Sequence, residues 1–249
     1  MQKQIRTRIE PMRVAKWIIQ TFFEISPIKR LINRSIHVNS PLQLHDLVAM
    51  GGNFKETPEE IITEIESPSS SNILDSGSYF PNFFNTNPGT LKLLALLVER
   101  IKPLVVVETG TANGKSASEI LSAFGRNNLN KSKLYSIDID PRVATSELQR
   151  NEQISFLLID KSNSFVDLMK TIGKIDLFYH DSNHSYKNQM LEYVTAWEIL
   201  DKEKGCLVSD DINWSNAFLD FCKLVNRKPF VLSDHGKFSG VIFKSDDKC

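Results

Sequence analysis

The chain has 249 residues, 41% hydrophobic and 24% charged, the makeup of a globular protein with room for one large domain or one domain plus an extension. Lys and Arg total 30, as do Asp and Glu, so no excess of positive charge argues for a nucleic-acid partner. Three cysteines (Cys206, Cys222 and Cys249) are an odd number without metal-type spacing, which argues against a disulfide framework and for a reducing, cytoplasmic setting.

Residues 1–34 are locally basic: eight Lys and Arg stand against Glu10 and Glu24, a net +6. Within them VAKWIIQTFFEI (14–25) places bulky apolar residues around much of a helix. It reads either as a helix packed on the domain or on a second subunit, or as a basic interfacial helix in peripheral contact with anionic lipid. Lys16, Gln20 and Glu24 interrupt the apolar part and no small-residue cleavage site follows, so a signal peptide is not expected. No stretch reaches the roughly 18 consecutive apolar residues of a membrane span.

Residues 35–88 are irregular. ETPEEIITEIE (56–66) predicts a short helix capped by Thr57, with Pro58 at its first position and acids in the first turn. SPSSSN (67–72) is a loop. SGSYFPNFFNTNPG (76–89) mixes aromatics with turn formers, as a lid or substrate wall would, or as a loop pinned to the core by Phe80, Phe83 and Phe84.

From residue 90 the pattern is regular. TLKLLALLVERI (90–101) is an amphipathic helix. Strands are expected at LVVVET (104–109), KLYSID (133–138), ISFLLI (154–159), IDLFYH (175–180) and GCLVSD (205–210), with helices near 115–124, 142–149, 164–171 and 186–200. Apolar strands without polar alternation, separated by helices, predict a doubly wound, mostly parallel sheet covered on both faces. KPFVLS (228–233) and SGVIFK (239–244), joined by DHGK, add an antiparallel hairpin at the sheet edge. The expected architecture is a seven-stranded, Rossmann-like α/β domain over 90–249, preceded by a mainly helical extension over 1–89 that makes oligomer contacts or a lid.

Open α/β sheets bind ligands beyond the carboxyl ends of their strands. The first strand leads into ETGTANGKSA, in which Gly110 and Gly114 permit a tight turn beside a helix N-terminus. The spacing is G-x-x-x-G, neither the dinucleotide fingerprint nor a P-loop, since Thr109 stands where a P-loop would need glycine. A tight turn without a ligand remains the plain alternative. Asp138 ends the second strand, where an acid can accept ribose hydroxyls, while Asp140 with Pro141 reads as a helix cap. Asp160 follows the third strand and reads equally as a base-edge contact or a cap. Asp181 and His184 follow the fourth strand; Asp210 and Asp211 follow the fifth. Converging carboxylates repel unless a cation neutralises them, and an all-oxygen set suits Mg²⁺ rather than zinc. His184 titrates near neutral pH and can take a proton. Each acid alone could instead cap a helix.

Glu108-x-Gly110-x-x-x-Gly114, the Ile-Asp-Ile-Asp-Pro end of the second strand and the acid after the third resemble the class I S-adenosylmethionine-dependent methyltransferases, over about 90–245. DLFYHDSNHSY and LVSDDINW are similar to the cation-dependent O-methyltransferases, and among them to the bacterial group acting on sugars and natural products, whose fourth strand ends in D-x-x-H-S-Y. The resemblance implies cofactor contacts from Glu108, Gly110, Thr111, Gly114, Ser116, Asp138 and Asp160. It implies a divalent metal, Mg²⁺ by chemistry, on Asp181, Asp210 and Asp211. Catechol-type relatives carry Asp-Asn at the last pair and a lysine base three residues after the first ligand; here the pair is Asp-Asp and the residue is His184. His184 and Asp181 are then the catalytic residues, the acceptor is a small molecule, and a homo-oligomer is expected. Competing readings are a nucleoside-binding module without catalysis, a nicotinamide enzyme, or a metal-dependent hydroxylase, for which no 2-His-1-carboxylate triad is evident. His37, His45, His180 and His235 read as structural or surface residues, and Trp214 as core or pocket wall.

Overall fold

The computed structural model describes Phe80 and residues 85–143, 148–234 and 237–245. The expected helices at 14–25 and 56–66, the loop at 67–72, most of the aromatic stretch 76–89, His37, His45, His235 and Cys249 lie outside the described residues.

The described chain runs α1 (Pro88–Ile101), β1 (Val105–Thr109), α2 (Lys115–Arg126), β2 (Lys133–Asp138), a 3₁₀ turn (Leu148–Arg150), β3 (Ile154–Leu158), α3 (Phe165–Ile172), β4 (Leu177–His180), α4 (Tyr186–Ile199), β5 (Cys206–Ser209), α5 (Ala217–Leu224), β6 (Phe230–Asp234) and β7 (Lys237–Phe243). All seven strands form one mixed sheet in the order β3-β2-β1-β4-β5-β7-β6. The first five are parallel; β7 runs antiparallel to β5, and β6 antiparallel to β7. In detail the hairpin differs from expectation. Its strands extend further into the turn, and β7 inserts between β5 and β6, leaving β6 at the edge.

The absence of alternation in the strands follows from burial on both faces. Val107, Ile137, Phe178 and Leu207 pack in one cluster with residues of α3, α4 and α5, including Met169, Tyr193 and Phe218. Their sequence neighbours Val106, Leu177 and Val208 pack in the other, with Leu94 of α1 and Phe124 of α2. Successive strand side chains point to opposite faces, so both must be apolar.

Two helices depart from expectation. The segment expected as a helix over 142–149 is a turn followed by the 3₁₀ turn in its described parts. Asp140 is therefore not its cap: it accepts from the Arg142 backbone N–H at 2.9 Å and pairs with the Arg142 guanidinium. Conversely, AFLDFCKL forms α5, which the strand–helix alternation did not suggest, and buries Phe218, Leu219, Phe221 and Cys222. Ser164, expected inside the helix, instead caps α3; its Oγ accepts from Asp167 N and donates to the Asp167 carboxylate at 2.6 Å, a reciprocal arrangement that satisfies the free end of the helix. Among the described residues no helix is long and apolar enough to cross a membrane.

Candidate active site

The turn after β1 is built by two glycines in left-handed conformation, Gly110 (φ +85°) and Gly114 (φ +76°). Gly110 N–H donates to Ile137 O of β2 at 2.9 Å, and Gly114 N–H to Thr111 O at 2.7 Å. A Cβ at Gly110 would stand 2.1 Å from the Asp181 carbonyl oxygen, so glycine here lets the chain leaving β4 cross directly beneath the turn. Asp138 fastens the same turn. Its Oδ2 accepts from Thr111 and Ala112 N–H at 2.9 and 3.3 Å, and its Oδ1 from Ile139 and Asp140 N–H at 2.7 and 3.0 Å. Four donors match the capacity of a carboxylate, so ribose hydroxyls would have to share these oxygens.

Glu108 is fully buried at the end of β1. Ser136 Oγ donates to its Oε1 at 2.6 Å, and Thr111 Oγ1 lies 2.6 Å from Ser136 Oγ. Its Oε2 has no partner. Burial pushes its carboxyl up to about 7, against the lowering effect of its hydroxyl neighbours Ser136 and Ser116. Ser116 is buried in the first turn of α2. Asp160 is exposed and accepts from Ser162 and Asn163 N–H at 2.7 and 2.9 Å, closing its own loop.

At the next strands the ladder continues past the strand ends. Asp181 N–H donates to Thr109 O and Asp210 N–H to His180 O, both at 2.9 Å, so each acid is fixed to the sheet. Asp211 then turns back with φ +47°, a conformation that Asp tolerates better than most residues. Burial, then Asp210 and Asp211, push the Asp181 carboxyl well above the usual range. Burial and Asp211 raise Asp210, and burial raises Asp211, partly countered by Lys237, whose Nζ stands 3.9 Å from Asp211 Oδ2.

Asp181 Oδ2 accepts from Thr86 Oγ1 and Tyr179 OH, each at 3.0 Å. Asp210 Oδ1 accepts from Ser239 Oγ at 2.6 Å, while Asp210 Oδ2 and Asp211 Oδ1 are buried without partners. Among the described residues, no group of three or more His, Cys, Asp or Glu side chains is spaced to hold a metal ion. The three acids themselves offer only oxygen donors, which suits a hard cation, and two of those oxygens are orphaned in the interior.

His184 sits between these groups, its Nε2 3.8 Å from Asp181 Oδ1 and 3.7 Å from Asp211 Oδ2. Its ring stacks on half-buried Trp214 with centroids 6.2 Å apart, so Trp214 belongs to the site wall. Burial, then His180, push the His184 imidazolium down to about 3, so the ring is neutral at physiological pH. Its Nδ1 has no partner.

A second buried network was missed in the sequence. His180 Nδ1 lies 2.8 Å from Glu192 Oε2 on α4. Glu192 also accepts from Thr109 Oγ1 at 2.6 Å, Ser182 Oγ at 2.7 Å and Asn188 Nδ2 at 2.8 Å. Burial works to raise the Glu192 carboxyl, but His180 and these hydrogen bonds hold it below its usual value. Glu192 thus ties the ends of β1 and β4 together. Its position on a helix 12 residues after His180 gave no local signal. Asn113, in the glycine turn, donates to Phe80 O at 3.0 Å and accepts from Phe80 N–H at 3.1 Å, anchoring the preceding segment over the turn.

The sequence profile of a methyltransferase domain family matches residues 107–212, which spans the strand ends from Glu108 to Asp211. No curated protein matches the sequence. Among solved structures, the O-methyltransferase from Bacillus cereus in complex with S-adenosylhomocysteine aligns with TM-score 0.53 at 16% identity, covering 82% of this chain and 98% of that one. The O-methyltransferase TomG from Streptomyces achromogenes, involved in tomaymycin synthesis and solved with S-adenosylmethionine, aligns with TM-score 0.52 at 12% identity, covering 81% and 95%. Cofactor-bound Rv0187 from MTB aligns with TM-score 0.55 at 12% identity, covering 83% and 99%. Likeness at this level of identity establishes a shared fold.

Proposed function

We propose that this chain transfers a methyl group from S-adenosylmethionine to a hydroxyl oxygen of a small molecule, with a divalent cation, Mg²⁺ by donor chemistry, held by Asp181, Asp210 and Asp211. The observation that carries the reading is the set of carboxylates at the ends of β4 and β5, Asp210 and Asp211 buried with orphaned oxygens and Asp181 directly beside the glycine turn after β1. The methyltransferase domain match supports methyl transfer, and the cofactor-bound O-methyltransferases of the same fold support this cofactor and an oxygen acceptor.

The glycine turn and the N-terminus of α2 offer backbone N–H groups and room for close approach. Glu108, with one oxygen unpartnered, and Asp138, Thr111, Ser116 and Asp160 are the polar groups available to hold the cofactor. The cofactor supplies an electrophilic methyl on a sulfonium. A cation at the three carboxylates would supply charge that lowers the pKa of an acceptor hydroxyl. The rest falls to the chain. Asp181 and Asp211 flank His184 Nε2, the ring nitrogen turned toward the carboxylates and therefore the one placed to take the hydroxyl proton; the carboxylates beside it would have to offset the burial that disfavours its protonation. Trp214 limits water access and orients the His184 ring. Alignment of oxygen, methyl carbon and sulfur supplies much of the acceleration. The acceptor class we assign is a sugar or natural-product hydroxyl, on the strength of the D-x-x-H-S-Y strand end.

Transfer of a labelled methyl group from S-adenosylmethionine to a panel of saccharides, glycosylated natural products and catechols, with Mg²⁺ or with chelator, tests this. Label on saccharide or natural-product hydroxyls that disappears in chelator is expected. Turnover of catechols alone would overturn the acceptor class, and full activity in chelator would overturn the cation.

A further inference from the structure

Two of the three carboxylates are held by hydroxyl groups. Thr86, just before α1, donates its Oγ1 to Asp181 Oδ2, and Tyr179 of β4 donates to the same oxygen. In the first turn of α1, Thr90 Oγ1 lies 2.7 Å from Ser239 Oγ of β7, and Ser239 donates onward to Asp210 Oδ1. A hydroxyl has one hydrogen to give, so with Ser239 committed to Asp210 the donor in the first contact is Thr90. All four side chains are buried, from 0% exposure at Tyr179 to 6% at Thr86. The start of α1 therefore reaches both carboxylates, one directly and one through a relay.

The consequence is directional. An Asp carboxylate turns easily about its last torsion and has two equivalent oxygens. Donors concentrated on one oxygen remove that freedom and leave the other facing the common space. Asp181 presents Oδ1, the oxygen nearest His184, and Asp210 presents Oδ2, which has no partner. We infer that Thr86, Tyr179, Thr90 and Ser239 are positioning residues that aim one oxygen of Asp181 and one of Asp210 at a single shared divalent cation. The inference rests on the cation reading above and adds the chain's own means of orienting the ligands. Such outer contacts change metal affinity by about 10–100-fold in known sites.

The test is calorimetric titration of the full chain with Mn²⁺ as probe, with S-adenosylhomocysteine affinity and melting temperature measured in parallel. Thr86→Val and Ser239→Ala should each weaken Mn²⁺ binding by about tenfold or more. S-adenosylhomocysteine affinity should hold within about twofold, and Thr86→Ser, which keeps the hydroxyl, should bind Mn²⁺ like the parent. Tyr179→Phe, which removes a single oxygen from a filled core position, gives a second route should a threonine variant fold poorly, and should also weaken Mn²⁺. If the parent binds Mn²⁺ and the variants match it, the positioning role is wrong while the cation reading stands. If both ligands weaken equally, the hydroxyls serve only the fold and the inference is overturned. If the parent binds S-adenosylhomocysteine but not Mn²⁺, the cation reading falls and this inference with it.

Discussion

Glu108 gives the sharpest quantitative test because one buried carboxyl dominates its own titration. Burial raises it from 4.5 to about 7. The sign follows from linkage. Below pH 4.5 the group is protonated in both folded and unfolded chains and costs nothing. Between 4.5 and about 7 the unfolded chain ionises while the folded one holds its proton, so this group's contribution to stability falls with rising pH, then levels off once the folded chain ionises too. At about 1.4 kcal/mol per pH unit, the loss by pH 8 is about 3 kcal/mol. Glu108→Gln keeps an acceptor for Ser136 Oγ and cannot ionise. It should therefore gain about 3 kcal/mol relative to the parent between pH 4.5 and 8, which for a domain of this size is about 6–12 °C in melting temperature. The assay is urea unfolding of both proteins across that range without added ligand, scored as the difference between the two curves so that other titrating groups cancel. Parallel curves, within about 1 kcal/mol throughout, would refute the burial argument.

Three further outcomes follow from the same geometry. Gly110→Ala forces a Cβ to 2.1 Å from the Asp181 carbonyl and onto φ +85°; we expect a loss above about 3 kcal/mol in denaturant unfolding, with S-adenosylhomocysteine binding lost as well. Glu192→Ala strands the partners of its carboxylate, His180, Thr109, Ser182 and Asn188, in the interior; chemical denaturation should show about 3–5 kcal/mol of destabilisation. Asp210→Asn relieves crowding among three carboxylates while keeping an acceptor for Ser239, so in chelator its melting temperature should exceed the parent's, by about 1–2 kcal/mol in stability. Added Mg²⁺ should then raise the parent's melting temperature and leave the variant's unchanged.

The fold was legible where local pattern and global role coincide. Runs such as KLYSID read as strands because they are buried on both faces, and that burial leaves a one-dimensional trace. Glycines at 110 and 114 were legible as a turn because left-handed backbone demands them. The helix over 142–149 was misread because Asp140-Pro141 imitates a cap, whereas Asp140 instead binds Arg142 two residues on. Helix α5 went unseen because its start, Asn216, makes no side-chain cap and the strand alternation had no slot for it. In the site, acids after strands stood out. Their hydroxyl partners did not: Thr86 lies 95 residues before Asp181, and Ser239 lies 29 after Asp210. His180 was set aside because its partner, Glu192, is reached only through the packing of α4 against β4.

Calorimetric titration of the purified chain with S-adenosylhomocysteine in Mg²⁺-containing buffer tests the central claim most directly. Saturable one-to-one binding, weakened by Glu108→Ala, is the predicted result. No heat of binding and no change in melting temperature, in protein shown to be folded, would contradict the cofactor reading of the strand ends from Glu108 to Asp160.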